Sequence, residues 1–135
     1  MNELVLPEAE ARTRLILAEK FVNERLDKIE VPIQHYFAEG VYARSGFVAK
    51  GTMFVGRIHK QSQINIISSG DITVLNEEGV SRLIGPCIWV SPAGAQRAAY
   101  ANEDTHWTTI LGTQETDPDV IYEMYTSAPC AVLEG

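Results

Sequence analysis

From residue 41 to residue 112 the chain runs in short stretches of alternating apolar and polar residues, broken by glycine or proline about every ten positions. A period of two with that punctuation makes short strands, and a series of such strands closes into a sandwich or barrel. The spacing predicts strands over 41–48, 52–59, 63–68, 71–76, 80–84, 87–91, 96–101 and 106–112. The turns between them are Lys50-Gly51, Ser69-Gly70-Asp71, Asn76 to Gly79, Gly85-Pro86, Pro92-Ala93-Gly94 and Asn102 to Asp104. Eight strands suit a jelly roll.

The flanks keep a different period. Pro7 followed by Glu8 and Glu10 reads as a first helical turn, and Leu15, Val22, Leu26 and Ile29 then recur at helical spacing up to Pro32. This predicts an amphipathic N-terminal helix that covers one side of the barrel or a subunit interface. His35, Tyr36 and Phe37 fall in the connection that follows, where interface packing is expected. Asp117, Pro118 and Asp119 predict a second, short helix through Val120, Ile121, Met124 and Tyr125. The expected organisation is one domain, with a helical arm at 1–39, the barrel at 40–113 and a helix and tail at 114–135.

Composition narrows the function. The 135 residues carry a formal charge of -7 with 21% charged residues, which argues against an extended surface for long nucleic acid. A small anionic ligand is still compatible, because a pocket answers to its local field. The apolar runs are too short to span a bilayer, and the acidic start lacks the pattern of a secretory signal, so a cytoplasmic setting is expected. Cys87 and Cys130 lie far apart with no metal-type spacing and are expected to be reduced packing residues.

The stretch from Gly51 to Gly70 carries the chemistry. It reads as Gly51, then Arg57-Ile58-His59, then Gln63, then Gly70. A second stretch holds Gly85, Pro92-Ala93-Gly94, Arg97 and Asn102. Strict alternation places Met53, Val55, Arg57 and His59 on one side of their strand, with Phe54 and Ile58 on the other. Gln63, Asn65 and Ile67 share a face of the next strand. No nucleophile elbow, phosphate loop, HExxH motif or cysteine cluster is present.

These two stretches resemble the two motifs of the cupin superfamily, the RmlC-like jelly rolls. The family's first motif sets a His-x-His pair, a glutamate and a closing glycine at these separations. Its second sets a Pro-x-Gly turn before a histidine and an asparagine. In this chain Gly85 and Asn102 are each displaced by one residue from that pattern. The strings RIHKQSQINII and VSPAGAQRAAYANEDTHWTTILGT are further similar to small, mostly uncharacterised cupin proteins of tailed bacteriophages. The resemblance implies an all-β jelly-roll barrel and puts Arg57, His59, Gln63 and Arg97 at the positions of the family's metal ligands, facing the interior. His59 is the one ordinary ligand among them and a weak metal candidate, while two guanidiniums would repel a cation. No metal or other cofactor is therefore expected.

For Arg57 and Arg97 two roles are open. They are partly buried cations satisfied by nearby acids or carbonyls, or they clamp an anion through bidentate bonds. No Asp or Glu occupies the inward positions of these strands, and the nearest candidate acids to support His59, Asp71 and Asp104, sit in turns. His59, beside Arg57, is expected to stay neutral. Trp89 and Tyr100 are candidate stacking surfaces for a base, and of His106 and Trp107 only one can face the pocket. The leading reading is a non-enzymatic protein that binds a small anionic ligand through Arg57, His59, Gln63, Asn65 and Arg97. With the phage resemblance, a nucleotide signal of host defence is one concrete ligand. The rivals are a divergent metal-dependent enzyme, a metal-free isomerase using His59, and a structural or virion-associated protein. A homodimer or larger assembly is expected.

Overall fold

The computed structural model describes residues 3–4, 31–76 and 79–127. The N-terminal helix expected before Pro32, and Cys130, lie outside the described residues. Among these residues the strands are β1 (Glu3–Leu4), β2 (Ile33–Ala38), β3 (Val41–Val48), β4 (Met53–Val55), β5 (Ile58–His59), β6 (Gln63–Ser69), β7 (Asp71–Asn76), β8 (Gly79–Ile84), β9 (Cys87–Ser91), β10 (Ala98–Ala101), β11 (Thr105–Gly112) and β12 (Thr126–Ser127). One helix, α1 (Pro118–Tyr125), precedes β12. No described helix is long and apolar enough to cross a membrane.

The strands form one sheet in the order β1-β8-β7-β10-β4, a second in the order β2-β3-β11-β6-β9, and a small pair β12-β5. All these pairings are antiparallel. The two large sheets share one core, in which Ile72, Val74 and Ala99 of the first meet Ile67 and Trp107 of the second. Phe54, Leu83, Cys87 and Trp89 pack against that cluster. Alternation explains the set, since Ile72 and Val74, or Ala99 and Ala101, stand two apart and are buried while Tyr100 between them is 46% exposed.

Strand limits follow the turn chemistry closely at β3, β7 and β9. The connection expected at His35 to Phe37 is instead a strand, β2, because its backbone continues the second sheet by pairing Gln34 with Ser45 and Tyr36 with Ala43. Gly70 shows why the β6–β7 turn needs glycine. Its φ is +121°, and a Cβ there would stand 2.3 Å from Thr105 Oγ1. The expected C-terminal helix forms over Pro118–Tyr125, with the Asp117 carboxylate accepting from Asp119 N at 2.9 Å as its N-cap.

One departure decides the geometry of the site. Gly56 N donates to Arg97 O at 2.9 Å, and His59 N donates to Ala95 O at 3.0 Å. Arg57 and Ile58 therefore stand opposite the single residue Gln96, which is a β-bulge. The strand expected over 52–59 is accordingly split into β4 and β5, and strict alternation fails across the split. Phe54, expected on the side away from the interior, packs inward, its ring centroid 6.1 Å from that of Trp107. The extra residue leaves His59 opposite Ala95, and Arg57 is half-buried.

The outer face of the second sheet carries an apolar row. Val90, Ile64, Ile110, Ala43 and Tyr36 are linked register by register across all five strands. Val90 is 67% exposed and Tyr36 54%.

Candidate functional site

The inner face of the second sheet is polar just above the core. In register across it stand Trp89, Asn65, Thr109, Arg44 and His35. Asn65, fully buried, is the hub. Its Oδ1 accepts from Arg97 Nη1 at 3.2 Å and from Trp107 Nε1 at 3.1 Å, while its Nδ2 donates to Ser91 Oγ at 3.0 Å. Its three side-chain partners come from the segment before β10, from β11 and from β9, so the amide ties the sheets together as it orients the arginine.

Arg97 is buried, at 7% exposure, in the approach to β10. Its guanidinium carbon lies 5.4 Å from the Trp107 ring centroid and 5.9 Å from that of Trp89. Two electron-rich faces and one amide oxygen thus orient the cation. Gln63, one strand-level above Asn65, is 4% exposed, and its Nε2 has no hydrogen-bond partner. A buried amide donor left unmade costs on the order of 1–3 kcal/mol, so an acceptor placed at this atom would offset that cost.

His59 completes the group. Burial, and then the guanidiniums of Arg97 and Arg44, hold its imidazole down to about 4. It is neutral at physiological pH, as expected, but the arginines responsible are Arg97 and Arg44, not its sequence neighbour Arg57.

Arg57 contacts the C-terminal elements, its Nε donating to Thr126 Oγ1 at 2.9 Å and its guanidinium carbon 4.5 Å over the Tyr122 ring. These contacts secure α1 and β12 against β5. Of the expected site residues, Asn65 and Arg97 are joined by a hydrogen bond, Gln63 lies two positions from Asn65 on the same strand face, and His59 lies within the field of Arg97. Tyr100 is displaced from the expected role, because it faces outward from the first sheet. His106 faces out against Phe47, so Trp107 is the inward member of that pair. His35 Nδ1 and Tyr42 Oη are 2.6 Å apart on the inner side of β2 and β3. Sequence reasoning missed Arg44 and Ser91. Both lie in expected strands, but only the pairing of β6 with β9 brings Ser91 to Asn65, and the pairing of β3 with β11 puts Arg44 in the same cross-strand row.

The acids considered for His59 are engaged elsewhere. Asp71 accepts from Arg82 Nε at 2.9 Å and from Asn102 Nδ2 at 3.0 Å, and the Arg82 bonds hold its carboxyl below the usual range. Asn102 also donates to Thr73 Oγ1 at 2.9 Å, so the asparagine of the second motif is a clip on the outer face. Asp104 caps Lys50 N at 2.9 Å.

The donor set does not fit a metal centre of the type the fold accommodates. One imidazole, one amide and one buried guanidinium stand at the inner positions, and a guanidinium has no lone pair to offer. Among the described residues no three His, Cys, Asp or Glu side chains cluster in a way that could hold a metal ion.

No protein-family profile matches the sequence, and no curated protein is significantly similar to it. The likeness is in three dimensions. An RmlC-like cupin from Shewanella frigidimarina superimposes with a TM-score of 0.54 at 15% identity, over 72% of this chain and 93% of that one. KdgF from Halomonas sp. gives 0.54 at 18% identity, over 72% and 88%. An acetylacetone dioxygenase from Acinetobacter johnsonii gives 0.52 at 13% identity, over 61% and 59%. The chain therefore has the cupin jelly-roll fold. Structures sharing that fold include enzymes and proteins of unknown function.

Proposed function

We propose that this protein binds a small anionic, phosphorylated ligand inside the barrel and performs no chemistry on it. The observation that carries the reading is the buried, unpartnered Nε2 of Gln63 beside the oriented cation of Arg97. An anion accepts from both, and neutral His59 adds one further donor. Asn65 and the two indoles act through Arg97, fixing its direction before a ligand arrives. Asp71 and Asp104, the acids considered as supports for His59, are engaged by Arg82 and by Lys50 N. In the context of the phage resemblance, sequestration of a nucleotide signal of host defence is the concrete form of this function.

The test is calorimetric titration of the wild type, Arg97→Ala and Asn65→Asp with phosphate, pyrophosphate and a set of nucleotides. The wild type is expected to bind at least one. Asn65→Asp keeps the shape of the hub but supplies Arg97 with a carboxylate, so it should fold and lose at least roughly tenfold in affinity, about 1.4 kcal/mol. Binding unchanged in both variants would remove the reading.

A further inference from the structure

Charged residues make up 21% of the chain, yet the outer face of the second sheet carries none in its central rows. Beside the row from Val90 to Tyr36 runs another, Ile88, Ile66, Thr108, Ser45 and Gln34, again in register across all five strands. His106 and Phe47 begin a third, their rings 5.0 Å apart. Ile88 is as exposed as Val90, at 67%. The polar groups on this face bond to each other: Thr108 Oγ1 donates to Ser45 Oγ at 3.1 Å, and Tyr36 Oη to Gln34 Oε1 at 2.7 Å. Covering such a face costs little in desolvation, because those hydroxyls keep their bonds when water leaves.

Five strands at about 4.8 Å and three levels of outward side chains at about 6.8 Å give roughly 450 Å² in plan. That is more than half of the roughly 800 Å² per partner that a standard interface buries, before side-chain relief is added. Bulk is segregated across the face. Ile64 and Ile66 stand on β6 with Ile88 and Val90 beyond them on β9, whereas β3 presents Ala43 and Ser45 in the same rows. A two-fold axis lying between two copies along β11 sets β6 of one over β3 of the other, so that Ile64 meets Ala43 and Ile66 meets Ser45 twice over. Large side chains then fall opposite small ones, as in a packed core. We infer that this face is the interface with a second copy of the chain, packed sheet on sheet about β11. The formal charge of -7, with no Lys or Arg in these rows, sets the face against an anionic lipid surface. The inference is independent of the anion-binding reading, which concerns the opposite, inner face.

The experiment is sedimentation equilibrium of the wild type and of variants, each checked for a cooperative thermal transition. The wild type is expected to be a dimer at micromolar concentration. Ile88→Lys combined with Val90→Lys, at highly exposed positions of the face, should fold and raise the dissociation constant at least roughly a hundredfold. Tyr100→Lys, on the outer face of the first sheet, should leave the dimer unchanged. Ile64→Lys and Ala43→Glu test the axis. Each alone should be monomeric, because a symmetric dimer would bury its unpaired charge twice, and an equimolar mixture of the two should regain the dimer mass. If either fails to fold, the double variant on β9 still decides the interface. A monomeric wild type would overturn the inference, including one that instead sediments with phosphatidylcholine vesicles. A dimer that survives the double variant, or that Tyr100→Lys dissociates, would place the contact elsewhere. Two folded single variants that stay monomeric when mixed would overturn the axis along β11.

Discussion

At the scale of single residues, His59 shows how the cavity sets its own chemistry. Taking an imidazole out of water between two guanidiniums makes its charged form costly, which is why it is held down to about 4 from an ordinary 6.5. Between those values the unfolded chain binds a proton that the folded chain does not, so stability falls as pH drops from about 6.5 toward 4. The full loss for this group is up to about 3 kcal/mol. Urea denaturation at pH 7 and pH 4.5 should show that slope in the wild type and a flatter one in His59→Gln. Equal slopes would place the imidazole in water. Gln63 is the complementary case, a buried donor whose cost an anion would offset, so a bound ligand should raise the melting temperature by more than it does in Gln63→Leu.

At the scale of elements, the bulge between β4 and β5 does most to shape the site. One additional residue opposite Gln96 interrupts the alternation between β4 and β5, and Arg57 joins α1 and β12 to the barrel through Tyr122 and Thr126. Nothing in the composition of Gly56-Arg57-Ile58 distinguishes this from a continuous strand, which is why simple alternation misassigns the face of Phe54. Turns were more legible. At Gly70 a positive φ and the backbone of Thr105 together leave no room for a side chain. Gly70→Ala should destabilise by at least about 2 kcal/mol in chemical denaturation or fail to fold. A fully stable variant would show that the β6–β7 turn relaxes into another form.

At the scale of the whole molecule, the second sheet has two unlike faces, a polar inner row through Asn65 and Arg44 and an apolar outer row from Val90 to Tyr36. Self-association remains our proposal for this chain, in keeping with the expectation of a homodimer. Light scattering at two protein concentrations should give at least a dimer mass, and a monomer mass at both would count against it. The glycine and proline frame, the alternation of β3, β6, β7 and β9 and the cap at Asp117 were readable from the sequence because they depend on local backbone chemistry. Alternation set Gln63 and Asn65 on one face of their strand, while the inward direction of that face and the place of Arg97 came from the cupin resemblance. What only the tertiary structure decided was which of these side chains meet. Register between β3, β11 and β6 is set by cross-strand burial, and the bulge opposite Gln96 by pairing with the segment that leads into β10. Neither leaves a mark within a single strand, so the meeting of Asn65 with Arg97, Trp107 and Ser91 became visible only once the sheets were assembled.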